Sequence, residues 1–233
     1  MNRYLSAVFI AMFLALPVGS FGRGDGTIPE PLPKQRILVL GDSLTNGSFA
    51  THEQATFVGQ LGALANAQTA RRKTSRLPEI ISVWNEVKVW KPDIVVLEFG
   101  LNDVLVRGTI SDAAWKGIYL DLVRDIQSTG AKVIVCSMFW FGTDNPRYPT
   151  LQNHIDYNAL IKEVSDETGA LFADLWTHTQ DCPGCISVPE EVSYLGPYRG
   201  DNFHPSDAGH RRIAEVIYGA LVNKTFFPFV SNQ

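Results

Sequence analysis

Only three cysteines, five histidines and three methionines occur in the 233 residues, and what the chain does without narrows its chemistry. Cys182-Pro183-Gly184-Cys185 would need two further ligands to build a four-coordinate zinc site, and no neighbouring motif supplies them. Positive charge is short as well. The formal net charge is −4 and the one basic cluster is Arg71-Arg72-Lys73, so no broad footprint for nucleic acid exists. No apolar run reaches the length of a membrane span, and no internal repeat or low-complexity stretch is visible. What remains, with 45% hydrophobic and 19% charged residues, is an ordinary globular composition able to bury one sizeable core.

The amino terminus reads as an address. Arg3 precedes an apolar run from Tyr4 to Leu16, then come Pro17 and the small residues Gly19, Ser20 and Gly22. That is the layout of a secretory signal peptide over residues 1–22, with an uncleaved anchor as the alternative. No cysteine follows the run, which argues against a lipoprotein anchor. Residues 23–34, rich in Gly and Pro, form an irregular lead-in, and a single domain is expected over 35–233. A secreted or periplasmic location makes a small disulfide ring through Cys182 and Cys185 a natural reading; a redox pair is the alternative, poorly placed because no helix follows. Cys136, inside Val133-Ile134-Val135-Cys136, reads as a buried small hydrophobe.

Strand and helix signals alternate. Ile37 to Leu40 and Ile94 to Phe99 are short apolar runs of the kind buried on both faces of a parallel sheet, and Lys132 to Ser137 and Ala170 to Asp174 add two more strands. Helical spacing appears over Thr56 to Ala67, Leu77 to Trp90, Ser111 to Thr129, His154 to Thr168 and Ser206 to Asn223. Gln68 to Arg76 has no apolar run and reads as a loop, with at most a rudimentary strand at Ala65 to Gln68. Trp176 to Phe203 reads as irregular. The alternation predicts an α/β fold with a mostly parallel sheet between helical layers.

Three polar clusters fall after predicted strands or before the last helix: Gly41-Asp42-Ser43-Leu44, Gly100-Leu101-Asn102-Asp103 and Asp201-Asn202-Phe203-His204-Pro205. Read singly, each is a turn or a cap. In this order they resemble the SGNH, or GDSL, hydrolase family, over nearly the whole chain from Arg36 to about Val222. The resemblance implies a flavodoxin-like α/β/α sandwich, here with a weak or missing second strand. It implies Ser43 as nucleophile, His204 as general base, Asp201 as its orienting carboxylate, and the Ser43 N–H with the Asn102 amide as oxyanion donors. The family's second block usually brings a glycine whose N–H completes that hole. This chain has none there, and the matching basic stretch makes a backbone N–H from Arg71 to Thr74, that of Arg71 among them, the candidate for the third donor.

The chemistry makes the same demand. A serine hydroxyl is a weak nucleophile near neutrality, an imidazole can take its proton, and a carboxylate three residues before that imidazole can fix its tautomer. Of the other histidines, His52, His154, His178 and His210 lack such neighbours, and His210 is expected to face out of the last helix or cap it. Phe139, Trp140, Phe141, Tyr148, Tyr194 and Tyr198 lie in loops suited to bordering a sugar ring or acyl chain, with plain packing as the alternative for each. The reading is an exported serine esterase that removes a short acyl group from a sugar or small alcohol, without cofactor, metal or nucleic-acid partner. Acyl transfer to a sugar hydroxyl, and a catalytically silent glycan-binding module, are the alternatives.

Overall fold

The computed structural model of the chain describes residues 34–141, 151–187, 193–196 and 200–222. The expected signal peptide, residues 23–33 of the lead-in, Tyr148 and Tyr198 lie outside them.

The sheet forms where apolar runs can be covered on both faces. Strand β1 (Arg36–Gly41) and β3 (Ile94–Glu98) are almost wholly buried, and β4 (Lys132–Cys136) nearly so. With β2 (Gln68–Lys73) and β5 (Leu171–Ala173) they make a five-stranded parallel sheet in the order β2-β1-β3-β4-β5. The chain runs outward from β1 to β2, then returns across β1 to build β3, β4 and β5. The strand order therefore reverses between β1 and β3, and the crevice at their carboxyl ends is where such sheets bind ligands.

Helices cover the sheet in two layers. α2 (Phe57–Ala65) packs on α8 (Asp207–Leu221), and α5 (Asp112–Ser128) packs on α6 (Leu151–Thr168). Thr56, Ser111 and Ser206 each cap their helix by accepting a backbone N–H with the hydroxyl. Shorter helices follow strands or turns: α1 (Ser43–Asn46), α3 (Ile80–Val87), α4 (Leu101–Leu105) and α7 (Leu175–Gln180). Among the described residues no helix is long and apolar enough to cross a membrane.

Two expectations are corrected. Gln68 to Lys73 is a full six-residue strand, paired along its length with β1 from Arg36↔Gln68 to Gly41↔Lys73. It escapes an apolar pattern because it is an edge strand whose side chains are half-buried or exposed, so charged residues are tolerated and shield the open edge. His210 does not face out: it is fully buried between α8 and the start of α2. Its Nδ1 accepts the Phe57 N–H at 3.3 Å, which leaves Nε2 to donate to the Ser48 carbonyl at 3.0 Å.

That pairing has a consequence for acid stability. Burial holds the His210 imidazole down at about 4, against an ordinary 6.5, although its bond to Ser48 opposes the shift. Between these two pH values the unfolded chain takes up a proton that the folded chain refuses, so the group's contribution to stability falls as pH drops across the window. The full loss is about 3 kcal/mol. Urea midpoints at pH 7 and pH 5 should therefore differ less for His210→Gln than for the native chain; equal differences would dismiss His210 as the source.

Candidate active site

The reversal point gathers the polar clusters. Ser43 is the first residue of α1, directly after β1, and Asp42 caps that turn by accepting the Leu44 N–H at 3.0 Å. Position 41 must be glycine: a Cβ there would collide with the Thr45 hydroxyl and lie 2.7 Å from the Glu98 carbonyl and 2.9 Å from Glu98 Oε2. Across the crevice, Gly100 turns the chain out of β3 at φ 127°, and Asn102 follows in the first turn of α4. Asn102 Nδ2 donates to Asp42 Oδ2 at 3.0 Å.

The third cluster arrives on a strap before α8. Cys182 and Cys185 are joined, and the segment just after them runs antiparallel to the strap through the Ile186↔Pro205 bridge. Ser187 N–H donates to the His204 carbonyl at 2.8 Å, Asn202 N–H to the Ser187 carbonyl at 3.1 Å, and Ser206 N–H to the Cys185 carbonyl at 2.9 Å. Within the strap, Asp201 Oδ1 accepts the backbone N–H of His204 at 2.9 Å and of Phe203 at 3.1 Å. Its other oxygen meets His204 Nδ1 at 2.8 Å, and His204 Nε2 lies 2.9 Å from Ser43 Oγ. A carboxylate only accepts, so Nδ1 carries the proton and the Nε2 lone pair faces the serine hydroxyl. Burial alone would raise the Asp201 carboxyl, but the ring and backbone bonds from His204 outweigh it and hold the group below its ordinary range.

Two rings flank the imidazole. Phe203 meets it edge-on at 4.9 Å, and Phe49 lies tilted at 5.0 Å. Phe49 holds a left-handed backbone conformation, φ 67°, which a bulky residue adopts only when its surroundings impose it. They do: Phe49 N–H donates to Ser193 Oγ, the Ser48 carbonyl is held by His210, and Thr51 is bound twice by Asp207.

Arg71 sits within β2 opposite Val39. Its guanidinium donates to Glu53 at 2.7 Å and to the Tyr194 hydroxyl at 2.9 Å, and that hydroxyl in turn donates to Glu53 at 2.8 Å. Tyr194 is thereby tied to the sheet edge. Farther along, the Thr74 N–H binds the Gly41 carbonyl, Ser75 and Arg76 bind Glu79, and Leu77 binds Asp103. Phe139 and Phe141 are core residues, while Trp140 is half-buried and meets Trp176 edge-on at 4.6 Å. Among the described residues, no group of three or more His, Cys, Asp or Glu side chains is placed to hold a metal ion.

Sequence reasoning passed over Glu98 and Phe49. A signal for Glu98 was present, a lone carboxyl in the apolar run Ile94 to Phe99, where charged residues are rarely buried without a partner. Phe49 has none, because its place depends on bonds from residues more than 140 positions away.

The comparisons with known proteins agree with this architecture. The GDSL-like lipase/acylhydrolase family matches residues 39–212. A protein described as an acetylxylan esterase from Geobacillus stearothermophilus is 26% identical over 209 residues, which is 78% of this chain and 92% of that protein. Among solved structures, an alpha/beta hydrolase enzyme from the metagenome of Lake Arreo, Spain, superposes with TM-score 0.63 at 19% identity, covering 83% of this chain and 98% of its own. An acetylxylan esterase from Geobacillus stearothermophilus does so with TM-score 0.60 at 18% identity, covering 86% and 98%. At such identities the structural likeness speaks for the fold.

Proposed function

The chain belongs to the GDSL-like lipase/acylhydrolase family and is a serine hydrolase of carboxylic esters, and from that premise we propose that it is an exported esterase removing short acyl groups, acetyl above all, from a sugar. The observation that carries the site assignment is the continuous run of contacts from Asp201 through His204 to Ser43, at 2.8 and 2.9 Å. His204 Nε2 takes the hydroxyl proton while Ser43 Oγ attacks the ester carbonyl carbon. Negative charge gathers on the carbonyl oxygen, where the Ser43 N–H and the Asn102 amide stabilise it. As the intermediate collapses, the imidazolium hands its proton to the departing alkoxide, leaving an acyl-serine. Water then attacks that ester, giving a proton to His204, which passes it to Ser43 Oγ as the acid leaves.

Proton return constrains where the alcohol can sit. Its oxygen must come within hydrogen-bond reach of His204 Nε2, and of the two rings flanking the imidazole Phe49 is half-buried and Phe203 buried, which supports a leaving group bordered by Phe49. A flat apolar ring there suits the C–H face of a sugar. The acetylxylan esterase relative supports both the acetyl group and the carbohydrate. Export is supported by the amino-terminal apolar run and the joined Cys182 and Cys185; the mass of protein recovered outside the cell should lack the first 20 to 22 residues (roughly, as cleavage after Ser20 or Gly22 requires).

Acyl length is the test. With p-nitrophenol as common leaving group, kcat/KM should fall by about tenfold or more between acetate and octanoate, and acetylated xylo-oligosaccharides should be deacetylated. A preference for octanoate, with no acid released from the sugar acetates, would replace this reading with a lipase.

A further inference from the structure

Beneath the nucleophile lies a pair of carboxyl groups that the reaction itself does not use. Asp42 and Glu98 are 1% and 2% exposed, and they meet where β1 and β3 end side by side, Gly41 opposite Glu98. Glu98 is the strand-end neighbour of Gly41, which precedes Asp42, and the Thr45 hydroxyl of the same turn donates to Glu98 Oε2 at 3.2 Å. Asp42 has two calls on its oxygens, the Leu44 N–H and Asn102 Nδ2, both at 3.0 Å.

We propose that Asp42 and Glu98 are positioning residues for the oxyanion donor: Asp42 grips one N–H of the Asn102 amide so that the other points at the substrate, and Glu98 holds Asp42 in place. The inference rests on the role given to Asn102 above. An amide nitrogen carries two hydrogens fixed in one plane, so binding one to Asp42 fixes the direction of the second. A freely rotating Asn102 would present its nitrogen or its carbonyl oxygen to the developing charge, and only the nitrogen stabilises it.

The charge arrangement fits this work. Burial raises Asp42 to about 6, against the pull of the Leu44 N–H and His204, and burial followed by the neighbouring Asp42 raises Glu98 well above the ordinary carboxyl range. Each charge makes the other harder to carry in so dry a place. The negative charge is favoured on Asp42, whose oxygens accept two N–H groups, over Glu98, which accepts the Thr45 hydroxyl. Asp103, His204 and Lys73 also act on Asp42, and Cys136 and Tyr119 lie in the field of Glu98. A buried acid pair at the end of an apolar strand costs stability, and a cost of that kind concentrates where activity requires it.

The test is a double-mutant cycle on the full-length enzyme with p-nitrophenyl acetate. Asp42→Asn, which offers Asn102 an NH2 group in place of an acceptor, should lower kcat by about tenfold or more with KM within about twofold, while the thermal midpoint does not fall. In an Asn102→Ala background the same change should cost less than about threefold, because the group it positions is gone. Glu98→Gln retains an acceptor for the Thr45 hydroxyl and should lose several-fold less kcat than Glu98→Leu. Losses at Asp42 and Asn102 that multiply, losses carried by KM, or losses that track the thermal midpoint would each overturn the positioning role while leaving Asn102 as donor. If Asn102→Ala itself costs less than about threefold, the oxyanion assignment fails and this inference falls with it.

Discussion

Ser43→Ala and His204→Ala should each lower kcat by at least about 10,000-fold, and the double variant should be no worse than either alone. Among the described residues, the acceptor that meets Ser43 Oγ is His204 Nε2 at 2.9 Å. Without the hydroxyl the imidazole has nothing to activate; without the imidazole the hydroxyl stays protonated. The two changes therefore remove one event. A fluorescent phosphonate should label the native enzyme at Ser43 and neither variant. Burst kinetics would add that an acyl-serine accumulates. If Ser43→Ala retained a tenth of the native turnover, the nucleophile would have to be sought elsewhere, and labelling of a well-folded His204→Ala at the native rate would remove His204 as base.

The second large effect belongs to Asn102. Its amide is anchored on Asp42, the residue before Ser43, at 3.0 Å, and Asn102→Ala should lower kcat by about a hundredfold or more with little change in KM. Arg71 provides the contrast. Its guanidinium is engaged by Glu53 and Tyr194 rather than turned to Ser43. Arg71→Ala should thus act on stability, by about 1 kcal/mol for a half-exposed ion pair and its shared hydroxyl, with kcat on a neutral ester changed by less than about threefold. A hundredfold loss on Arg71→Ala in a protein of unchanged thermal midpoint would mean that the cationic side chain has replaced a backbone N–H as oxyanion donor.

What was legible in the sequence divides along physical lines. Strands β1, β3 and β4 are covered on both faces, so their sequences are continuous apolar runs and announce themselves. Strand β2 has a neighbour on one side only and needs no such run, so its sequence has the polarity of a loop. Helix α7 is six residues long, too short to show a helical period, and its start depends on Asp174 accepting the Thr177 N–H. The motifs holding Ser43, Asn102, Asp201 and His204 are local strings at strand ends and before a helix, so their positions were readable. The 2.8 to 3.0 Å spacings between them arise from strand order and from the bridge that seats the strap, neither of which a linear pattern records. His210 was misread for a related reason: the helix face it occupies is decided by the 48–57 segment packed over it.

The cationic edge strand has one more consequence, for how copies of this protein behave at high concentration. A parallel sheet that ends in a six-residue strand offers another chain a template for extension. Here that approach would bring Arg72 and Lys73 of one molecule, both exposed, alongside the same residues of the next. The opposite margin, β5, is three residues long and gives an incoming strand little to grip. Like charges at one border and brevity at the other disfavour growth of the sheet from either edge, and they do so without covering the end of β1 that Ser43 follows.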